Sequence, residues 1–302
     1  MKNILFRADS SSLIGTGHIM RDLVLAEQFK GAHIVFATQD LDGNINYKIK
    51  EKNYTIEILS SNNIENINIL IKKLDINMIV IDHYDIDYSF EKKLKVQNPK
   101  LKIFSLDDTY EKHYCDILLN HNIYAIADKY KGLVPDHCEL RCGVNFTLIR
   151  DEFIRIKKNL KVVSNSKLTK LFIAMGGADH SNINLSILRA IACFKDIEID
   201  IITTSANRYL TKLTSYVRTQ KNIVLHINTD KMALLLLSSD IAIVSPSVTL
   251  NEVFYLGKKF IAIKTADNQI EMYNYLIENA YPVLEFFDEK KLQKTLERLI
   301  YG

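Results

Sequence analysis

The chain has 302 residues, 47% of them hydrophobic, which is enough for one large domain or two of ordinary size. Its 39 basic and 36 acidic side chains nearly cancel, and a net charge of +3 argues against nucleic acid or an anionic membrane surface as partner. Cys115, Cys138, Cys142 and Cys193 show no disulfide rhythm, and Cys138-x-x-x-Cys142 has no second Cys/His pair to complete a metal site. They read as buried thiols of a cytoplasmic protein, with no signal peptide before the first strand and no apolar run long enough to span a bilayer.

The run Lys2 to Asp9 (KNILFRAD) alternates around an apolar centre and predicts a strand. Ser10 to Gly17 is a serine–glycine loop in which the backbone can turn tightly and approach a ligand. Ile19, Leu23, Ala26 and Phe29 then share one face of a helix. Strand, glycine loop and helix start make an anion-binding corner, with Gly15, Thr16 and Gly17 nearest the anion. At the positive end of this helix the His18 ring is favoured as neutral imidazole, fit to accept a proton. The expectation is a phosphorylated substrate held against His18. The same pattern also suits a half-exposed surface histidine in an ordinary α/β corner. The loop is not a P-loop, because no Gly-Lys-Ser/Thr follows. Nor is it a dinucleotide fingerprint, because Met20 stands where the third glycine belongs.

Further strands are expected at His33–Ala37, Tyr54–Leu59, Asn77–Tyr84, Leu101–Leu106 and Asp116–Asn120, with helices at Ile64–Leu74 and Ser89–Val96. The strand before Asp82 is continuously apolar, as in a parallel strand buried on both faces. Ligands in such sheets bind beyond the carboxyl ends of the strands, so Asp82, His83 and Tyr84 become site candidates, although a solvated loop explains them equally. Asp107-Asp108 reads as a solvated or capping pair rather than a metal site. Leu148 to Lys158 is a helix closing the first domain (residues 1–158), and Asn159 to Lys167 a polar linker.

A second αβ alternation fills residues 168–302. Its strands are expected at Leu171–Met175, Ile199–Thr203, Ile223–Ile227, Asp240–Val244 and Phe260–Ile263. Its helices are expected at Asn184–Phe194, Arg208–Val217, Lys231–Leu237, Leu250–Leu256, Ile270–Asn279 and Glu289–Ile300, the last able to pack back on the first domain. The fold class is therefore α/β, with two Rossmann-like, doubly wound parallel sheets facing a cleft. After the first of these strands, Gly176-Gly177 can bring bare N–H groups to a phosphate. Ser247, Val248 and Thr249 open a helix whose uncapped N–H groups can take a second phosphate oxygen. One turn on, Glu252 can accept both hydroxyls of a ribose, or simply complement the helix N-terminus. Together these loops describe a nucleotide diphosphate site that needs no metal and no cofactor, since backbone dipoles stand in for the cation.

Several motifs resemble one enzyme family over nearly the whole chain: FRADSSSLIGTGHIMRDLVLA, IDHY at Ile81–Tyr84, DILLN at Asp116–Asn120, RCG followed by LIRDEF, MGGAD, and SPSVTLNE. This is the UDP-2,4-diacetamido-2,4,6-trideoxy-β-L-altropyranose hydrolase family of pseudaminic acid biosynthesis, which serves flagellin glycosylation. The second half is also similar to the nucleotide domain of GT-B, MurG-like glycosyltransferases. The resemblance implies a GT-B-like fold, a UDP-sugar substrate, His18 as the catalytic residue and Tyr84 as a substrate contact. It implies substrate contacts at Asn268-Gln269, pyrophosphate contacts at Gly176-Gly177 and Ser247–Thr249, and Glu252 as the ribose carboxylate. The chain departs from the family at Phe146-Thr147, where a Tyr-Ala pair is usual, and over Thr38–Asn53 and the C-terminus. Hydrolysis at the anomeric carbon by a monomer is the expectation. The alternatives are a GT-B transferase that passes the sugar to an acceptor hydroxyl, and a non-catalytic UDP-sugar binding protein.

Overall fold

A computed structural model describes residues 2–159, 168–179 and 181–302. The chain forms two compact units, Met1–Leu148 and Ile149–Gly302. The first runs through β1 (Asn3–Ala8), α1 (Gly17–Ala26), β2 (His33–Thr38), α2 (Asn46–Glu51), β3 (Thr55–Ile58), α3 (Ile64–Lys73), β4 (Met78–Asp82), α4 (Tyr88–Gln97), β5 (Lys102–Leu106), β6 (Ile117–Asn120) and β7 (Glu139–Cys142). Among the described residues its strands form one parallel sheet in the order β3-β2-β1-β4-β5-β6-β7.

The central strands β1 and β4 are buried on both faces, which is why they read as apolar runs. Phe6, Phe36, Val80 and Phe104 pack one face of the sheet against Ile19, Leu23 and Ala26 of α1. Leu5, Val35, Ile79 and Ile103 pack the other face against Ile67, Leu70 and Ile71 of α3. Asn63 and Asp87 cap α3 and α4 by accepting the backbone N–H of Asn66 and Phe90. Helix α1 ends at Ala26, three residues short of Phe29, which still packs on the core. Two elements have no sequence signal. In α2 the one buried apolar residue is Ile49, too few for a helical period, and β7 is a half-exposed edge strand of mixed polarity. The thiols are less buried than expected: Cys115 is buried, Cys138 and Cys142 are half-buried and Cys193 is exposed.

The second unit runs through α5 (Asp151–Asn159), β8 (Thr169–Ala174), α6 (Ile183–Ala190), β9 (Ile197–Thr203), α7 (Leu210–Val217), β10 (Ile223–Ile227), α8 (Met232–Ser238), β11 (Ile241–Val244), α9 (Val248–Leu256), β12 (Lys259–Ile263), α10 (Ile270–Glu278), β13 (Val283–Leu284) and α11 (Glu289–Tyr301). Its described strands form a second parallel sheet, β10-β9-β8-β11-β12-β13. Helix α5, expected at the end of the first domain, packs instead on α8 and α9 and buries Phe153 fully. The expected linker begins at Asn159, the last residue of α5, and residues 160–167 lie outside the described residues. Helix α11 seats Leu292 and Leu296 in the core of this second unit. Gly257 closes α9 in the left-handed conformation, with φ +67°.

Each sheet reverses its strand order once, between β1 and β4 in the first unit and between β8 and β11 in the second. At such a switch point the connections on either side leave in opposite directions and open a crevice beyond the carboxyl ends of the strands.

Candidate active-site residues

The switch point of the first unit carries the loop after β1 and the Asp82–Tyr84 turn after β4. Gly15, with φ +87°, closes the first loop through paired backbone hydrogen bonds with Ser11. The Ser11 hydroxyl accepts from the N–H groups of Leu13 and Ile14 at 3.1 and 2.9 Å. The loop delivers Gly17 and His18 as the first two residues of α1, where no side chain caps the helix.

His18 is buried, and its Nδ1 lies 2.7 Å from Asp82 Oδ1. With the proton assigned to Nδ1 so that Asp82 can accept it, Nε2 keeps its lone pair. Arg21, one turn along α1, grips the same carboxylate with Nε at 2.6 Å and Nη2 at 2.5 Å. Its Nη1 reaches Asp108 at 2.9 Å. The Tyr84 hydroxyl donates to the Asp108 carboxylate, with distances of 3.0 and 3.1 Å to its two oxygens. The Tyr84 ring packs edge-on against His18, centroids 4.9 Å apart at 81°. Burial alone would raise the Asp82 pKa, but the Arg21 charge and the hydrogen bonds from Arg21 and His18 outweigh it and hold the carboxyl well below its usual range. Asp22, fully buried one residue beyond Arg21, goes the other way: burial and the Asp82 charge push it well up. Burial also pushes His121 down to about 3, with the Arg21 charge adding to the effect, so this ring is neutral.

The candidates therefore separate. His18, Asp82 and Tyr84 come together. His83 turns away: its Nδ1 accepts from the Asp85 N–H at 3.1 Å, while Nε2 lies 3.1 Å from Asp9, itself held by the Arg7 fork at 2.8 and 2.6 Å. Asp107-Asp108 is not a solvated pair. Asp107 is buried and caps the following turn through Thr109 and Tyr110, whereas Asp108 joins the histidine cluster. Arg21 is not singled out by the sequence, and Asp108 is read there only as part of a solvated or capping pair. The His18–Arg21 spacing, which sets both residues on one helical face, was the one signal available for Arg21.

The switch point of the second unit carries the glycine turn after β8 and the serine loop after β11. Gly176 has φ +90°, a conformation costly for any other residue. A Cβ on Gly177 would lie 2.8 Å from Thr204 Cγ2, so the bare backbone is what lets this turn sit against β9's exit. The Thr203 and Thr204 hydroxyls donate to the Gly177 carbonyl at 3.2 and 3.0 Å. Ser247 precedes α9 without capping it, because its hydroxyl pairs with Ser245 at 3.0 Å. The first-turn N–H groups, those of Val248 and Thr249 among them, are thus uncapped by a side chain. Glu252 is buried in α9 and held by a two-point fork from Arg150, at 2.6 and 2.7 Å. Gln269 ends a short 3-10 turn and accepts the Thr265 N–H at 2.8 Å, and Asn268 beside it is exposed. Among the described residues no three His, Cys, Asp or Glu gather to hold a metal ion, and no helix is long and apolar enough to cross a membrane.

No family model matches the chain. It is 40% identical over 280 residues to the UDP-2,4-diacetamido-2,4,6-trideoxy-β-L-altropyranose hydrolase of Campylobacter jejuni, covering 93% of this chain and 98% of that protein. It is 28% identical over 278 residues to an uncharacterized protein of Methanocaldococcus jannaschii, covering 88% of this chain and 56% of that one. Among solved structures, Acinetobacter baumannii MurG superposes with a TM-score of 0.62 at 11% identity over 99% of this chain and 91% of that one. The spinosyn rhamnosyltransferase SpnG complexed with thymidine diphosphate gives 0.67 at 10% identity, over 100% and 92%. These likenesses assign the GT-B, MurG-like fold.

Proposed function

Because the chain belongs to the UDP-2,4-diacetamido-2,4,6-trideoxy-β-L-altropyranose hydrolase family, we propose that it releases UDP from that sugar nucleotide, with water as the acceptor, in the cytoplasmic synthesis of pseudaminic acid. The observation that carries the reading is the His18–Asp82 pair at the switch point of the first sheet. A neutral imidazole oriented by a buried carboxylate is a general base. His18 Nε2 takes a proton from water as the water oxygen bonds to C1. The C1–oxygen bond to the diphosphate breaks, and its electron pair leaves with UDP. A single displacement inverts C1. Negative charge grows on the diphosphate, where the N–H groups of Gly177, Val248 and Thr249 are the proposed donors. One preorganised donor of this kind is worth about 3 kcal/mol.

Glu252 is the proposed ribose acceptor. The Arg150 fork occupies one lone pair on each of its oxygens, and each oxygen carries two. Gly15, Thr16, Gly17, Tyr84, Asn268 and Gln269 are the proposed sugar and phosphate contacts, and the reaction needs no metal. The test is proton NMR of the purified protein with this sugar nucleotide in the presence of a chelator. UDP and a free sugar should appear, the inverted anomer first, and His18→Asn should slow this by about 10²–10⁴-fold while UDP still binds. Turnover that depends on an added acceptor alcohol, or survives unchanged in His18→Asn, would overturn the reading.

A further inference from the structure

Asp108 has no role in the reaction as written above, yet it is tied to both side chains that flank the proposed water. It accepts the Tyr84 hydroxyl at 3.0 Å and Arg21 Nη1 at 2.9 Å. The other edge of the same guanidinium holds Asp82, and Asp82 holds His18. Arg21 is buried and the Asp108 side chain is 13% exposed, so the Arg21–Asp108 contact is shielded from competing water. The backbone of Asp108 is anchored as well, since the buried Tyr124 hydroxyl donates to its carbonyl. Tyr84 itself is 47% exposed although its ring edge rests on His18.

We propose that Asp108 is a positioning residue for the hydrolysis. It takes the only proton of the Tyr84 hydroxyl, so that toward the water Tyr84 Oη acts as an acceptor, and through Arg21 it locks this oxygen in register with His18 Nε2. Attacking water has two protons to place. One is transferred to His18 Nε2 and the other points to Tyr84 Oη, which aims the oxygen lone pair at C1. The proposal rests on the hydrolase reading and adds to it the orientation of the nucleophile. A residue that chiefly orients water alters kcat far more than KM, because all the substrate contacts other than Tyr84 stay intact.

The experiment compares Asp108→Asn, Tyr84→Phe and the double variant with the wild-type protein. Asp108→Asn should lower kcat by about 10²-fold, the scale expected for misplacing a reacting group by an ångström. KM should change less than about threefold, and Asp108→Asn should add little once Tyr84 is Phe. Equal losses in both backgrounds, a loss confined to KM, or unchanged kcat would overturn the proposal. A second readout needs no turnover. The His18 ring-proton resonances, shifted by the Tyr84 ring current, should move in Asp108→Asn toward their positions in Tyr84→Ala. Unmoved resonances would overturn the clamp even if kcat fell. A wild-type protein that releases no UDP but shows the shift would remove the hydrolase reading and leave the clamp standing.

Discussion

Asp82 and Asp22 share one buried corner, and their pKa values are pushed in opposite directions. Asp82 is ionised because the Arg21 charge and the hydrogen bonds from Arg21 and His18 outweigh its burial. Asp22 faces the Asp82 charge with no hydrogen-bond partner on either oxygen, and burial and that charge push its pKa well up, toward the neutral form. Asparagine resembles a protonated aspartate in size and charge, so the two substitutions should part sharply. Asp82→Asn should cut kcat by about 10²-fold or more, because an amide can donate to His18 Nδ1 and turn the proton to Nε2. Asp22→Asn should leave kcat within about threefold, and thermal unfolding should shift by no more than about 1 kcal/mol. Equal kcat losses in the two variants would show that Asp22 is also charged.

At the scale of elements, both candidate loops depend on glycines for different reasons. Gly15 and Gly176 supply positive φ, and Gly177 supplies room against Thr204. An added methyl at Gly177 displaces a threonine whose hydroxyl holds the Gly177 carbonyl and accepts the Ala206 N–H at 3.2 Å. Gly177→Ala should therefore weaken UDP binding about tenfold by calorimetry while the protein stays folded, the loss of roughly one hydrogen bond's worth of affinity. Unchanged affinity would remove the glycine turn from the diphosphate site. The elements the sequence concealed, α2, β7 and β13, are the short or polar ones. Six residues with one buried apolar side chain, or two residues of edge strand, carry too little periodicity to register. Helix α5 was legible as a helix, but its membership was not, because its partners α8 and α9 lie some eighty residues or more downstream.

At the scale of the molecule, stability should carry a pH signature from one buried histidine. Burial by itself would lower the pKa of His113, but Asp107 and Glu91 outweigh it and push it up to about 10. Its Nδ1 lies 2.9 Å from Glu91, and Glu91 is fully buried. A pKa raised above the unfolded value of 6.5 gives stability that is complete below pH 6.5 and is lost as pH climbs toward 10. Breaking such a buried pair costs about 3 kcal/mol. The Tm gap between wild type and His113→Gln should be widest below pH 6.5 and narrow by pH 10. A gap independent of pH would mean that His113 is neutral in the folded protein.

The α/β class and the order of nearly every strand and helix were determined by the sequence alone, and the sequence also singled out His18 and the two glycine turns as candidates. These are local properties: an apolar run, a helical period, a bare backbone between strand and helix. What the sequence could not decide is which side chains meet. His18 reaches Asp82 across 64 positions, Arg21 reaches Asp108 across 87 and Arg150 reaches Glu252 across 102. Such pairs exist because parallel strands remote in sequence lie side by side, and the reversal of strand order brings the ends of β1 and β4 together. The same geometry sent His83 to Asp9 and Asp108 to Tyr84, against the reading of their neighbours in sequence.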